Sequence, residues 1–265
     1  MKTKNVLRDL IREGKPPSEP TCSASGPAWS SWSDTAAQWT ILNSLASNAP
    51  YDLFSLENFG RALDMFDHLT AMMKLDQEPR TYLAERAVGS GIQNLLFAEI
   101  RTLEDAKESI AAMKPDTPEL GGRVSAAMTR DNAYVQPGVS LTEFVRKRDE
   151  GVLALMIEKK TAVEQLEEIL GTGKVDMVQF GAADYSMTVG LTGQYTHPKV
   201  KEAERYTIET AIKMGVRPRV ELNTWEDSQP YIDMGVKDFC IGSDVRSFFD
   251  FCKDQGENIA KALGK

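Results

Sequence analysis

Apolar runs of strand length alternate with amphipathic helical stretches along almost the whole chain. This alternation favours repeated βα units around a parallel sheet over separate all-α and all-β domains. The sequence predicts strands at 51–58 (YDLFSLEN), 92–100 (IQNLLFAEI), 152–158 (VLALMIE), 175–184 (VDMVQFGAAD), in RPRVELN and at 238–244 (DFCIGSD). TYLAERAVGSG, TLEDAKESIAAMK, TAVEQLEEIL, HPKVKEAERYTIETAIKMG and WEDSQPYIDMG carry the helical period between them. FGRALDMFDHLTAMMK is expected to run as a helix into a further short strand, and Gly91, Gly215 and Gly235 stand where helices should end. About eight such units match a closed (β/α)8 TIM barrel, whose usual length is about 250 residues. The expectation is one barrel domain over 1–265, with 115–150 as a long loop or insertion because it holds three prolines and the pair Gly121-Gly122. A first strand is expected near the polar stretch 15–35, and the aromatic, amphipathic C-terminus suits a helix that could be exchanged between subunits.

Composition narrows the function classes. With 42% hydrophobic residues the chain can bury a full core, and its three cysteines form no C-x-x-C pair, which leaves a disulfide framework or structural zinc site without support. A net charge of −8 argues against a surface that binds a nucleic-acid backbone, although a focused basic pocket for a small anion is compatible with it. The charged opening MKTKNVLRDLIREGK lacks the apolar core of a secretory signal, and no run reaches membrane-spanning length. The expectation is therefore a cytoplasmic protein with no membrane and no nucleic-acid partner.

In a parallel α/β barrel the active site lies at the C-terminal strand ends, so acids at those ends matter most. Glu158 ends LALMIE and Asp184 ends MVQFGAAD on consecutive predicted strands, which lets both side chains reach one pocket. Mg²⁺ and Mn²⁺ favour oxygen ligands, often use only one or two protein carboxylates, and keep positions for water and a chelating substrate. A structural reading stands beside this one: Glu158, followed by Lys159 and Lys160, fits a solvated rim charge, and an Asp before a turn fits a cap.

LMIEKKTAVEQLEEIL and VDMVQFGAADYSMTVGLTGQYTHPKV resemble the metal-glutamate and metal-aspartate segments of the HpcH/HpaI aldolases, metal-dependent class II 2-keto-acid aldolases related to the citrate lyase β-subunit. The match is dense over 150–245, weaker over 51–113 and poor before 50. The resemblance implies a carbon–carbon lyase in which Glu158 and Asp184 hold Mg²⁺ or Mn²⁺, with Co²⁺ as a further candidate, and a pyruvate-type keto acid chelates the ion before reacting with a small carbonyl compound. Gly181, Ala182 and Ala183 would let the backbone approach the substrate, with the Ala183 and Asp184 amides donating to its carboxylate; the same small residues also suit a simple tight turn.

Where the family carries Asp-x-Glu-His, this chain has SLEN: Glu57 is kept and Asn58, which cannot take a proton at neutral pH, replaces the histidine. Lys74 aligns with the family's substrate-binding arginine, with Arg80 the alternative after a small shift. Glu99 is a candidate replacement base, with a metal-bound water the other, and Arg123 and Arg130 could clamp a second anionic group. His68 is expected in a helix, and His197 as the cap of the next helix, with gating of the pocket as the alternative. Two other readings stay open, a CoA-thioester lyase of the same family and a non-catalytic keto-acid-binding barrel; homo-oligomerisation, as a hexamer, is implied by the resemblance.

Overall fold

A computed structural model describes residues 5–16, 21–24, 41–45 and 52–264, the segments 21–24 and 41–45 by their backbone alone. Six strands with described side chains, β1 (Thr70–Leu75), β2 (Asn94–Ile100), β3 (Leu153–Ile157), β4 (Met177–Phe180), β5 (Arg217–Leu222) and β6 (Asp238–Ser243), pair in parallel in sequence order. They form a curled α/β half-barrel sheet. Strand segments Thr21–Ala24 and Ile41–Leu45 pair with each other and with β6 and β1 across its two edges.

The expected eightfold (β/α)8 repeat is corrected by the helix placement. The strands described with their side chains form a six-stranded half-barrel, and a full eightfold repeat is not shown. The count also includes a strand at 51–58 that is absent: Leu53–Leu63 is a helix. Asp52 caps it by accepting from the Ser55 N–H at 2.9 Å, and Leu56, Phe59, Gly60 and Leu63 bury one face at helical spacing. The short apolar run YDLFSL carries either period, and the cap decides it. The helix stops at Leu63, so His68 lies in an exposed turn before β1 rather than in a helix. Within 115–150 the chain forms a 3-10 turn, Arg130–Val135, and a helix, Leu141–Asp149, started by the Ser140 cap.

Strand alternation separates two apolar layers. Leu75, Leu95, Phe97, Ile157 and Val178 face outward onto helix residues such as Leu56, Ala84, Ala106 and Ile169. Met72, Leu96, Ala98, Ala154, Met156 and Met177 face inward, where Leu7 joins them. Leu7 belongs to α1 (Val6–Arg12), which covers the N-terminal end of the sheet. Arg8 fixes it there through Asp176 at 2.7 Å and the carbonyls of Glu150 and Gly151 at 3.0 and 2.7 Å. That end is plugged, which leaves chemistry to the opposite one.

Gly60 shows how closely the helices approach. A Cβ there would sit 1.9 Å from the Ser90 carbonyl oxygen. Gly-to-Ala in a helix normally gains about 1 kcal/mol, but Gly60→Ala is expected to lose about 1–3 kcal/mol through overpacking. Urea denaturation checks this, and a gain in stability would contradict the packing.

Candidate active site

A cavity of about 340 Å³ opens at the C-terminal ends of β3, β4 and β5, with Lys74 of β1 on its wall. Glu158 and Asp184 both line it.

Glu158 follows directly on the wholly buried β3 and is itself 2% exposed. A carboxylate cannot be left there without compensation. Its Oε1 accepts the Glu99 backbone N–H at 2.7 Å. That donor is aimed by a break in register: Phe97 pairs with Leu155 but Ile100 with Ile157, and between them Glu99 takes a φ of +55°. A left-handed conformation costs a non-glycine residue about 1–2 kcal/mol, and here it turns an amide toward a buried charge. Burial raises the Glu158 pKa, an effect opposed by the Glu99 amide and the Lys74 charge, then increased by Asp184 and opposed again by Lys159.

Gly181 ends the next strand against Glu158. A Cβ at 181 would lie 2.5 Å from Glu158 Oε2 and 2.6 Å from Glu158 Cβ, so only glycine leaves this carboxylate its place. Asp184 sits in the first turn of the short helix Ala182–Thr188 that follows. Lys159 Nζ donates to its Oδ1 at 2.9 Å and lies 3.9 Å from Glu99 Oε2. Gly181, Ala182 and Ala183 all border the cavity, which is why the acid at 184 has room around it.

The inward-facing positions of β4 and β5 make one flank polar. Val220 and Leu222 pack with Ile208 and Val236, and the alternate residues Arg219 and Glu221 join them in bordering the cavity. Arg219, fully buried, donates to Gln179 Oε1, and Gln179 Nε2 donates to Glu221 Oε2 at 2.9 Å. These residues and Lys159 are not among those expected from the sequence. For the strand residues the signal is period-two polarity in MVQF and RPRVEL, strands otherwise apolar enough to be buried.

Other predicted site residues lie elsewhere. Glu57 and Asn58 sit on the helix Leu53–Leu63 and do not border the cavity; Asn58 is exposed and accepts from Arg61 at 3.2 Å. Glu99 reaches Glu158 through its amide, while its carboxylate pairs with Arg101 at 3.1 Å. Arg123 is exposed, its amide bonded to the Ala111 carbonyl at 2.8 Å at the end of the helix Leu103–Met113. Arg130 pairs with Asp64, and Arg80 is buried on the Asp105 carbonyl at 2.8 Å. His197 caps the helix Pro198–Lys213 by accepting from the Lys199 amide at 3.2 Å.

A divalent ion suits this donor set. Two carboxylates from the segments that follow successive strands supply hard oxygens, and the glycine cradle keeps space for water and a chelating substrate. Among the described residues no group of three or more His, Cys, Asp or Glu assembles as a metal cage, so the protein's share would be these two acids.

The model of the HpcH/HpaI aldolase/citrate lyase family matches residues 65–250. A 5-keto-4-deoxy-D-glucarate aldolase of Klebsiella pneumoniae is 26% identical over 210 residues, 79% of this chain and 78% of that one. A hydroxypyruvate/pyruvate aldolase of Sagittula stellata is 33% identical over 132 residues, half of each chain. The fold is shared with a HpcH/HpaI aldolase/citrate lyase family protein of Burkholderia cenocepacia, with a TM-score of 0.85 at 21% identity over 97% of this chain and 99% of that one. A citrate lyase β-subunit of M. tuberculosis, complexed with oxaloacetate and magnesium, gives a TM-score of 0.56 at 11% identity over 88% and 93% of the two chains.

The raised pKa of Glu158 has a stability consequence. A folded-state pKa above the unfolded value means that this group contributes most below the ordinary glutamate value of 4.5, and that the contribution is lost as pH rises through the raised value. Glu158→Gln keeps an acceptor for the Glu99 amide and removes the charge. In metal-free protein it should raise the melting temperature at pH 7, with the gain fading toward about pH 4. A lower melting temperature at pH 7 would contradict this account of the site.

Proposed function

This chain belongs to the HpcH/HpaI aldolase/citrate lyase family, and from that premise we propose that it is a divalent-metal-dependent lyase that cleaves or forms the aldol bond between a pyruvate-type 2-keto acid and a small carbonyl compound. The observation that carries the reading is the convergence of Glu158, just past β3, and Asp184, in the first turn of the helix after β4, on one cavity beside a glycine that admits no side chain. Mg²⁺ or Mn²⁺, with Co²⁺ as a further candidate, would be held by these two acids and would supply Lewis acidity toward the keto acid.

The chain's own groups set the rest. Lys74, half-buried on the cavity wall, places a positive charge where a substrate carboxylate or developing enolate oxygen would lie, as a point charge without the fork of an arginine. The Glu99 amide fixes Glu158 in one orientation, so an oxygen donor is held in advance of the ligand. The Gly181–Ala183 turn lets the backbone border the substrate. Proton transfer is not assigned to Asn58, which is exposed on a helix, nor to the Glu99 carboxylate, which is tied to Arg101.

Self-association rests on the last helix of the described residues, Asp244–Ala262. None of its residues is buried, and Val245, Phe248, Phe249, Phe251 and Ile259 are each at least 60% exposed. That much aromatic surface on one helix suits a second copy of the chain. No helix among the described residues is long and apolar enough to cross a membrane.

Methyl-proton exchange of pyruvate in D₂O with added Mn²⁺ tests the chemistry. The wild-type protein should exchange, and Glu158→Gln or Asp184→Asn should lower the rate by about a hundredfold or more, several kcal/mol of lost stabilisation. Undiminished exchange in both variants would contradict the assignment, and tight pyruvate binding without exchange would favour a non-catalytic keto-acid-binding protein. Light scattering on a sizing column tests assembly: Phe248→Asp combined with Ile259→Asp should give a smaller species with unchanged far-UV circular dichroism, and an unchanged mass would contradict the role of the helix.

A further inference from the structure

Lys159 is the one cation in direct contact with the acids that this reading assigns to the metal, among the described residues. Its side chain is only 12% exposed, its Nζ donates to Asp184 Oδ1 at 2.9 Å, and its charge acts on Glu158 as well. A second acceptor stands beside it, Glu99 Oε2 at 3.9 Å, itself paired with Arg101.

Two buried or half-buried carboxylates sharing a cavity repel each other, and Glu158 feels Asp184 in this sense. A monocation seated on one of them offsets part of that repulsion. A dication bound by both must take the same Asp184 oxygen or work against the ammonium beside it. Lys159 can yield without leaving its surroundings, because Glu99 offers a carboxylate within a short swing of the side chain.

We infer that Lys159 is an internal counter-cation of the metal site: it occupies Asp184 in the metal-free protein and moves onto Glu99 when a divalent ion binds. This rests on the metal reading above. Lys159 is therefore a positioning residue that sets the affinity for the ion, and Glu99 is the acceptor that receives it.

Mn²⁺ titration of the full chain, followed by the loss of the free-ion electron paramagnetic resonance signal, tests the inference. Lys159→Met should bind Mn²⁺ at least about tenfold more tightly than wild type. In the absence of metal it should melt at a lower temperature than wild type, and the rise on adding Mn²⁺ should be larger. Glu99→Gln should weaken Mn²⁺ binding several-fold in the wild-type background and leave it unchanged in Lys159→Met, since its effect passes through the lysine. An equal Glu99→Gln effect in both backgrounds would mean a direct charge effect and would overturn the relay. Equal Mn²⁺ affinity in wild type and Lys159→Met would overturn the counter-cation while leaving the metal site standing. If neither protein binds the ion, or if Glu158→Gln binds it as wild type does, the metal reading itself falls and takes this inference with it.

Discussion

The site depends on keeping a carboxylate, Glu158, 2% exposed at the end of a wholly apolar strand. Water would solvate that charge far better than the sheet interior does, so the surrounding chain must compensate. Three features do so. The bulge in β2 turns the Glu99 amide onto Oε1, Gly181 removes the Cβ that would strike Oε2, and Lys74 and Lys159 bring positive charge. The left-handed φ at Glu99 and the glycine at 181 are otherwise unexplained local choices, and a single buried acid accounts for both.

The rest of the fold directs chemistry to that end of the sheet. Helix α1 plugs the opposite end with Leu7 in the inner layer and Arg8 on Asp176. Within the sheet the inward faces of β1, β2 and β3 are largely apolar, while β4 and β5 contribute Gln179, Arg219 and Glu221. The cavity carries these three together with Lys74, Glu158 and Asp184, a few placed polar groups that orient a small polar substrate. Family membership gives the reaction class, and these residues are where this chain's own substrate preference would be set.

Much of this is legible in the order of the amino acids. The acids at 158 and 184 stand out because each follows an apolar run that must be a buried strand, and such a run ends on a charge only where the chain emerges into a site. The cap at His197 is legible from the proline behind it. The eightfold count is not, because YDLFSL is too short to distinguish a period of two from 3.6 and the deciding contact is the Asp52 cap. The same ambiguity puts Glu57 and Asn58 at an expected strand end, when they ride on a helix outside the cavity. Lys159 is illegible for a different reason: a lysine after a strand-end acid looks like a rim charge, and only the folded positions of 99, 159 and 184 show it inserted between two carboxylates.

The central claim is that Glu158 and Asp184 act together on one ion. A crystal grown with Mn²⁺ and oxalate, a stable mimic of the chelating end of a keto acid, measures this directly through the anomalous signal of manganese. A single strong peak within bonding distance of both carboxylates and of the oxalate is the predicted result. A well-ordered site with no manganese between the two acids, or with the ion bound by other residues, would contradict the claim.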